Sequence, residues 1–454
     1  MRLGGTKMSS YKIKQTLGDT EWFTRDRFGM FIHFGAYAMP ARHEWCKTLE
    51  LIDDEHYDKY VKYFDPDMFD AKEWAKKAKA AGMKYAVLTT KHHEGFCLFD
   101  TKYTDYKITN TPFGRDLVRE FVDAFRAEGL RVGFYYSLID WHHPHFPIDV
   151  FHPLREHPDA EALDKGRDVR IYAEYMRNQV TELLTGYGQI DIMWFDFSYP
   201  NPTPEYVKCG LSFAPHAPAN PAKPWMQHNG GKGKEQWESE ELFALVRKLA
   251  PKIILNNRAN VPGDIVTPEQ VAATEWPRDK ESGECLTWEA CHTFSGAWGY
   301  ARDEMSWKTP KMLIDTLTKC VAFGGNLIMN VGPTSRGCFD HRADKALMEF
   351  EKWMKQNSRS IYNVTMAEPE FVAPRGTYIS QSTCGKRLYI YLTEYPFRTL
   401  TVKDLADRID YAQFLCDGSE IKYTLNENGK GNVIFRIPNV QPCEITPVIE
   451  VFLK

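Results

Sequence analysis

Strand-like apolar runs alternate with amphipathic helices over most of the chain, from about Phe28 to Pro333. Apolar strands separated by helices are typical of a parallel sheet covered on both faces, or of a closed barrel. The sequence therefore predicts an α/β fold whose larger domain is a (β/α)8-type barrel. The predicted strands cover residues 29–33, 84–90, 130–136, 189–196, 252–258 and 326–331.

The helices between these strands have recognisable ends. Asp70 is suited to cap a helix that Gly82 ends. Apolar residues at helical spacing over 117–125 predict a second helix, which Gly129 ends. Thr309 stands directly before a proline, and this pair is typical of a helix start.

Near the C-terminus the strand-like runs are no longer separated by long helices. Residues 387–392 and 432–437 are predicted strands, and residues 426–429 carry a hairpin signal. A chain of 454 residues is too long for one ordinary core, so two domains are expected. We predict a (β/α)8-like catalytic domain over 1–362 and an antiparallel β-sandwich domain over 363–454.

The composition and the charge exclude several classes of protein. Hydrophobic residues make up 43% of the chain and charged residues 26%, which is typical of globular proteins and excludes disordered or fibrous ones. The net charge of -4 gives no electrostatic reason to expect nucleic acid or an anionic membrane as a partner. No apolar run approaches the length that spans a bilayer.

The N-terminal stretch and the cysteines bear on localisation. Residues 1–20 are polar and lack the apolar core of a signal peptide. The ten cysteines are scattered singly, without the dense spacing of a disulfide scaffold. We therefore expect a cytoplasmic protein with reduced thiols. The sequence leaves the oligomeric state open, with a homo-oligomer as one expectation.

Polar side chains end five of the predicted strands. The C-terminal strand ends of a barrel lie on one rim, where the active sites of this fold are found. For Asp196 alone, a helix cap or a pair with an arginine is an equal alternative. Convergence of five strand ends on one rim favours a functional site. The residues are His33, His92, His93, Tyr135, Asp196 and Arg258.

Neither a metal nor an organic cofactor is expected. Adjacent side chains of a strand point to opposite sides, so His92 and His93 cannot both bind one metal unless the backbone bends. Residues 230–234 lack the spacing of a phosphate-binding loop. Two-carboxylate glycoside chemistry, with His, Arg and Tyr side chains binding sugar hydroxyls, fits the strand ends best.

Several segments resemble the α-L-fucosidase family, and the similarity spans the predicted barrel. The run Leu88-Thr89-Thr90-Lys91-His92-His93-Glu94-Gly95-Phe96-Cys97-Leu98-Phe99 resembles the family's most distinctive motif nearly residue for residue. Glu44-Trp45 is similar to the family's sugar-contacting pair. The other similar segments are 28–35, 133–137, 194–196, 298–300 and 324–333.

The resemblance implies an exo-acting, retaining glycosidase that hydrolyses terminal α-L-fucosyl residues of an oligosaccharide or glycoconjugate. Asp196 is the expected nucleophile, and a second carboxylic acid is expected to protonate the leaving oxygen and then activate water. The residues expected to bind the sugar, through its hydroxyls or through its ring and methyl group, are His33, Glu44, Trp45, His92, His93, Tyr135, Trp194, Arg258 and Trp298.

The acid/base residue is less clearly indicated. Residues 264–269 best resemble the family pattern, which makes Glu269 the predicted acid/base. Glu275 and Glu289 stay open as alternatives, because the acid needs a raised pKa and the sequence does not show which carboxyl group has that environment.

Three rival functions and the linkage preference also stay open. A hydrolase for a similar sugar, such as an α-L-galactoside, needs only a little more room beside the methyl group. A binding protein that has lost its acid, or a metal-dependent hydrolase, is a further alternative. The apparent insertion 199–237 and the His- and Pro-rich stretch 142–157 follow predicted strands, and we expect them to influence which leaving group is accepted.

Overall fold

The computed structural model describes residues 10–200, 225, 231–271, 273–425 and 431–454. The N-terminal part of the chain contains parallel strands, and nearly all of their residues are buried. These strands are β1 (Phe28–Ile32), β2 (Tyr85–Lys91), β3 (Arg131–Ser137), β4 (Ile192–Asp196), β5 (Ile254–Leu255), β6 (Glu289–Thr293) and β7 (Asn326–Val331). Within the described residues they form one seven-stranded sheet in the order β5-β4-β3-β2-β1-β7-β6.

Residues 265–269, which we call the bridging segment, join the two edges of this sheet. Parallel bridges link the segment to the chain just after β5 on one side and to the chain around β6 on the other. The bridging segment therefore acts as an eighth strand, and the predicted (β/α)8-type barrel is confirmed. The bridged pairs are Ile265 with Asn256, Val266 with Trp288, and Glu269 with Cys291.

Large apolar side chains fill the inside of the barrel. They come from almost every strand and include Ile265 of the bridging segment, as expected for a closed ring. The interior below the C-terminal rim is thus a packed core rather than a channel. Its members include Phe31, Tyr85, Val87, Tyr135, Ile192, Trp194, Ile254, Ile265, Cys291 and Ile328.

Helices cover the outside of the barrel through one large apolar cluster. They are α1 (Glu21–Asp26), α2 (Cys46–Leu49), α3 (Asp54–Lys62), α4 (Ala71–Ala80), α5 (Leu117–Ala127), α6 (Ala160–Asp164), α7 (Val169–Gly186), α8 (Lys234–Trp237), α9 (Ser239–Leu249), α10 (Pro310–Ala322) and α11 (His341–Asn357). None of these described helices has the length and apolar character needed to cross a membrane.

The predicted helix ends are confirmed. The side chain of Asp70 accepts hydrogen bonds from the first turn of α4, and that of Thr309 accepts one from Met312 of α10. Gly82 and Gly129 lie just beyond α4 and α5 with φ of 86° and 77°, a conformation that glycine adopts without strain.

The C-terminal part of the chain consists of antiparallel strands. They are β8 (Val364–Met366), β9 (Thr377–Ser382), β10 (Arg387–Leu392), β11 (Thr399–Val402), β12 (Ile409–Phe414), β13 (Tyr423–Leu425), β14 (Val433–Arg436) and β15 (Val448–Leu453). Among the described residues, a sheet of order β12-β15-β10-β9-β8 and one of order β11-β14-β13 share an apolar cluster. The predicted β-sandwich is therefore confirmed.

The sandwich is hydrogen-bonded to the barrel. The buried guanidinium of Arg27 donates to the carbonyl oxygens of Val364 at 2.8 Å and Gly324 at 2.6 Å. Burial lowers the pKa of Arg27 to about 10, yet the group remains protonated at neutral pH. The boundary between residues 362 and 363 stays a prediction, and the first sandwich strand begins at Val364.

Two details differ from the sequence-based expectation. The strand predicted over 252–258 contains only the two residues of β5, because the side chain of Asn256, rather than its backbone, hydrogen-bonds the N–H and carbonyl groups of Phe195 in β4. Neither the bridging segment nor β6 was predicted. The expected hairpin at 426–429 lies outside the described residues.

Candidate active site

A pocket of about 370 Å³ opens at the C-terminal rim of the barrel. The structure brings all of the predicted catalytic and sugar-binding residues together in its wall, although they come from segments far apart in the chain. The lining residues are Phe31, His33, Glu44, Trp45, His92, His93, Tyr135, Trp194, Asp196, Phe197, Arg258, Glu269, Cys291 and Trp298.

Asp196 ends β4 and is held by two donors. The hydroxyl of Tyr135 donates to Oδ2 of Asp196 at 2.9 Å, and Nη1 of Arg258 donates to Oδ1 at 3.0 Å. Burial raises the pKa of Asp196 above its ordinary value, and the nearby charge of Arg258 opposes this shift. These two donors stabilise the ionised form of a carboxylate that is only 9% exposed.

Arg258 connects Asp196 to a second carboxylate. Its Nη1 atom also donates to Oε2 of Glu269 at 2.6 Å. Its Nε and Nη2 atoms donate to the hydroxyl and the carbonyl oxygen of Thr267, which hold the guanidinium in place over the ring of Trp194. Burial lowers the pKa of Arg258, but the neighbouring carboxylates outweigh burial and keep the pKa raised.

The shared donor limits the separation of the two carboxylates. One nitrogen lies 3.0 Å from Oδ1 of Asp196 and 2.6 Å from Oε2 of Glu269, so these oxygens are no further apart than the two distances combined. Retaining glycosidases place their carboxyl groups roughly 5–5.5 Å apart, and inverting ones roughly 6.5–9.5 Å. The bound on these two oxygens is compatible with the spacing of a retaining enzyme.

The two alternative acids lie elsewhere. Glu275 is exposed and does not line the pocket. Glu289 begins β6 at the opposite end of the barrel, where it is fully buried and accepts a hydrogen bond from Tyr85. Burial raises the pKa of Glu289 to about 7, a value suited to an acid, but Glu289 does not reach the pocket. Of the three candidates, the geometry favours Glu269.

Three histidines line the pocket, and two of them, His33 and His93, have a hydrogen-bond partner at Nδ1. Nδ1 of His33 lies 2.6 Å from Oδ1 of Asn330, and Nδ1 of His93 lies 2.6 Å from the hydroxyl of Ser137. Nδ1 of His92 lies 3.6 Å from Oε2 of Glu94. Burial lowers the pKa of both His33 and His93 well below 6.5, so these two rings are neutral at neutral pH.

Irregular backbone lets adjacent side chains face the same pocket. The pairing of β2 with β3 shifts by one residue between Thr89 and Lys91, and this bulge bends the chain before the histidine pair. As a result His92 and His93 both line the pocket, with ring centroids 4.0 Å apart. Phe197 follows Asp196 with φ of 83°, which is unusual for a bulky residue, and it also turns into the pocket.

Aromatic side chains and Glu44 complete the wall. Trp45 packs against Phe197 at 5.0 Å between ring centroids, and Trp298 packs against His33 at 5.1 Å. Oε2 of Glu44 accepts the backbone N–H of Trp298 at 3.2 Å and that of Gly299 at 2.8 Å. Glu44 lies in the loop after β1, and these two hydrogen bonds anchor the loop that carries Trp298 to it.

Some pocket residues were not predicted. Phe31 lies inside a predicted strand, two positions before His33, and residues two apart in a strand face the same side, which was a usable signal for it. Cys291 lies on β6, which carries too many polar residues to be recognised as a strand. The place of Phe197 in the pocket depends on its unusual backbone conformation, which the sequence does not indicate.

The described residues contain no group of three or more His, Cys, Asp and Glu side chains arranged to hold a metal ion. The stretch 142–157 is described and lies partly against the site, because Phe151 packs on Trp45 and Phe197. Most of the apparent insertion 199–237 lies outside the described residues. Tyr199 at its start and Lys232 near its end pair with each other through backbone hydrogen bonds of 2.8 and 2.9 Å.

A parallel barrel with two carboxylates at this separation, set in a pocket lined by histidines and aromatic rings, defines a glycoside hydrolase. Comparison with known families narrows this class. The family model described as alpha-L-fucosidase matches residues 7–359, and the chain belongs to the α-L-fucosidase family.

Individual proteins of this family resemble the chain over most of its length. The plasma alpha-L-fucosidase of Homo sapiens is 27% identical, over 83% of this chain and 76% of that protein. The solved structure of alpha-L-fucosidase isoenzyme 1 from Paenibacillus thiaminolyticus is 41% identical, covers 96% of this chain and 98% of its own, and superposes with a TM-score of 0.84. An alpha-L-fucosidase from Bacteroides thetaiotaomicron, solved as a trapped covalent intermediate, is 26% identical, covers 98% of both chains and has a TM-score of 0.77.

Proposed function

We propose that this protein is an exo-acting, retaining α-L-fucosidase in which Asp196 is the nucleophile and Glu269 the general acid/base. The observation that carries the proposal is the single Arg258 nitrogen that binds both carboxylates, which holds them at a separation suited to double displacement. The family match and the trapped covalent intermediate of the relative from Bacteroides thetaiotaomicron support the same mechanism.

In the first step Asp196 attacks the anomeric carbon of the fucosyl residue, and the bond from that carbon to the leaving oxygen breaks. Glu269 gives its proton to the leaving oxygen, so the aglycone departs as an alcohol. In the second step Glu269 takes a proton from water, the water oxygen attacks the anomeric carbon, and Asp196 is released. Two inversions at one carbon give net retention of configuration.

The rest of the pocket supplies binding and orientation. His33, His92, His93 and Tyr135 are placed to hydrogen-bond the sugar hydroxyls, and a site built from such bonds discriminates against sugars that lack them. Trp45, Trp194 and Trp298 are placed to pack against the ring and its methyl group. Glu44 has its second oxygen, Oε1, buried without a hydrogen-bond partner among the described residues, so this oxygen is suited to accept a sugar hydroxyl.

The substrate class follows from these contacts. We propose that the substrate is an oligosaccharide or glycoconjugate with a terminal α-L-fucosyl residue, because the pocket accommodates one small sugar while the rim around it is left for the leaving group.

A cytoplasmic location is a further proposal. Cys46, Cys97 and Cys320 are free and buried, and burial raises the pKa of each thiol to about 12. Free thiols of this kind are typical of proteins from reducing compartments. Fractionation of cells that produce the full-length protein tests this location, and recovery from the culture medium would contradict it.

The proposed function is tested with a fluorinated substrate that traps the covalent intermediate. The purified protein is incubated with 2-deoxy-2-fluoro-fucosyl fluoride, digested and analysed by mass spectrometry. We expect one added fluorofucosyl group on the peptide that contains Asp196, together with turnover of 4-nitrophenyl α-L-fucoside by untreated protein. Labelling of another carboxylate would contradict the assignment of the nucleophile, and absence of turnover would contradict the activity.

The acid/base assignment is tested with Glu269→Ala, and Glu275→Ala serves as the control. Loss of the acid should slow substrates with poor leaving groups far more than activated aryl fucosides. Azide should restore the rate of Glu269→Ala and give α-fucosyl azide, because azide attacks the fucosyl-enzyme without a general base and this second inversion retains the configuration. The same pattern in Glu275→Ala instead would show that the assignment to Glu269 is wrong.

A further inference from the structure

Asn330 lies near the end of β7, only 2% exposed, between two residues that line the pocket. Its Nδ2 atom donates to the carbonyl oxygen of Trp298 at 2.6 Å. Its Oδ1 atom lies 2.6 Å from Nδ1 of His33. Asn330 itself is not part of the pocket wall, so any effect on the sugar acts through these two neighbours.

The bond to Trp298 fixes the orientation of the amide. A backbone carbonyl oxygen can only accept a hydrogen bond, so the atom of Asn330 that faces it must be the NH₂ group. The atom that faces His33 is then the amide oxygen, which also can only accept. Nδ1 of His33 must therefore carry a proton and donate it.

The proton on Nδ1 determines what His33 offers to a ligand. A neutral imidazole has one protonated and one unprotonated nitrogen, so Nε2 of His33 carries a lone pair. The neutral ring is favoured because burial, His92 and Arg258 all lower the pKa of His33. The same reasoning applies to His93, because the one hydroxyl proton of Ser137 goes to the carbonyl oxygen of Ile139 at 2.8 Å and the hydroxyl must then accept from Nδ1 of His93.

We propose that Asn330 is a positioning residue that fixes His33 as a hydrogen-bond acceptor for a sugar hydroxyl and anchors the Trp298 loop at the same time. The proposal rests on the proposed function, in which His33 and Trp298 contact the fucosyl residue. It adds a selection rule: the hydroxyl that meets Nε2 of His33 must donate its proton. A fluorine or a methoxy group at that position of the sugar cannot do so.

The first test measures the tautomer directly on the wild-type protein. Selective ¹⁵N labelling of histidine shows which ring nitrogen carries the proton, and His33→Gln identifies the resonances of His33. We expect a protonated Nδ1 and an unprotonated Nε2 between pH 6 and 8. A protonated Nε2 with an unprotonated Nδ1 would overturn the proposal, whatever the activity of the protein.

The second test uses Asn330→Asp, which keeps the shape of the side chain. A carboxylate beside Nδ1 favours the imidazolium form, so the pKa of His33 should rise. A protonated Nε2 no longer accepts the hydroxyl. The low-pH limb of kcat/KM should therefore move upward by about one pH unit, and kcat/KM at pH 6 should fall about tenfold. His92, Arg258 and Tyr135, the other ionisable groups around His33, are unchanged in this variant.

Asn326→Asp is the matched control. Asn326 lies on the same strand, is fully buried, and likewise donates from Nδ2 to a backbone carbonyl, that of Phe23, at 2.8 Å. It lies at the other end of β7, so we expect a lower melting temperature and an unshifted pH profile. Equal shifts of the profile in both variants would show a general structural effect and overturn the proposal.

Failure of this proposal can be distinguished from failure of the proposed function. The NMR experiment and calorimetric binding of L-fucose need no turnover. A protein that binds fucose with the expected tautomer but hydrolyses no fucoside supports the role of Asn330 and contradicts the activity. Hydrolysis with the opposite tautomer supports the activity and contradicts the role of Asn330.

Discussion

The barrel buries a carboxylate near each of its two ends, and each accepts a hydrogen bond from a tyrosine. At the C-terminal rim Asp196 accepts from Tyr135, and at the opposite end, the floor, Glu289 accepts from Tyr85. The difference is Arg258, which binds Asp196, whereas Glu289 forms no ion pair within the described part of the chain. A carboxyl group is therefore suited to attack at the rim and to hold a proton at the floor.

The comparison shows that burial alone does not make a functional carboxylate. Burial raises the pKa of both groups, and the pKa of Glu289 reaches about 7. Only at the rim do a cation, a second carboxylate and an open pocket accompany the buried group. The pKa of Glu289 suits acid catalysis, but Glu289 does not line the pocket. Its raised pKa therefore bears on the stability of the fold and not on catalysis.

The largest expected effect comes from removing the carboxylate charge at the rim. Asp196→Asn should lower kcat by a factor of about 10⁴ or more, because the nucleophile is lost. Asp191→Asn is the control, since Asp191 lies just before β4 and pairs with Arg131 at 2.8 Å away from the pocket. Hydrolysis of 4-nitrophenyl α-L-fucoside measures both variants. A comparable loss of kcat in both variants would contradict the distinction between the rim and the floor of the barrel.

Arg258→Gln should make the environment of Asp196 at the rim resemble that of Glu289 at the floor. Asp196 must be ionised to attack, and the charge of Arg258 lowers its pKa. Without that charge the pKa of Asp196 should rise, so the low-pH limb of kcat/KM should move to higher pH and kcat/KM should fall about 100-fold. The pH profile of aryl fucoside hydrolysis measures the shift. An unchanged limb would show that Arg258 does not control the ionisation of Asp196, and Arg131→Gln provides the control at the floor.

Glu289→Gln should change stability rather than catalysis. The folded-state pKa of Glu289, about 7, is raised above its ordinary value of 4.5, so the folded protein retains a proton that the unfolded chain loses. The contribution of Glu289 to the free energy of unfolding is fully present below pH 4.5. It is lost as the pH rises from 4.5 to about 7. The amide should remove this loss, which amounts to about 3 kcal/mol. Thermal unfolding at pH 5 and pH 8 checks this, and a variant that gains no relative stability at pH 8 would contradict it.

The smallest expected effects come from the paired tyrosines. Tyr135→Phe removes a donor to Asp196, so it should raise the pKa of Asp196 and lower kcat/KM about tenfold. Tyr85→Phe removes the donor to Glu289 and should cost about 1 kcal/mol of stability while leaving kcat/KM within about twofold. Parallel kinetics and unfolding experiments separate the two. A larger kinetic loss in Tyr85→Phe would mean that the floor and the rim are coupled.

The sequence was a good guide where a strand is apolar and its end is polar. Asp196, Tyr135 and His33 follow or end such strands, and their convergence at one rim is a property of the barrel. The bridging segment and β6 escaped prediction because Thr267, Glu289 and their polar neighbours interrupt the apolar pattern. Their strand character comes from pairing with both neighbours, which no local pattern encodes.

The acid/base could not be chosen from the sequence for a related reason. Glu269, Glu275 and Glu289 all occur within one stretch of loop-like composition. The environments that separate them, a shared arginine, solvent and the barrel floor, depend on residues far away in the chain. The tautomer of His33 likewise depends on Asn330, almost three hundred positions later.

The bridging segment gives the two proposed catalytic carboxylates unequal mechanical support. Asp196 ends a strand with a regular ladder to β3, whereas Glu269 lies on a segment joined to its neighbours by isolated bridges. Local opening requires the least free energy where the fewest backbone hydrogen bonds must break. The ring of strands is therefore least stable along the bridging segment, which carries the proposed acid/base, Glu269. Local opening of the bridging segment therefore moves the proposed acid/base while the ladder that holds Asp196 stays intact.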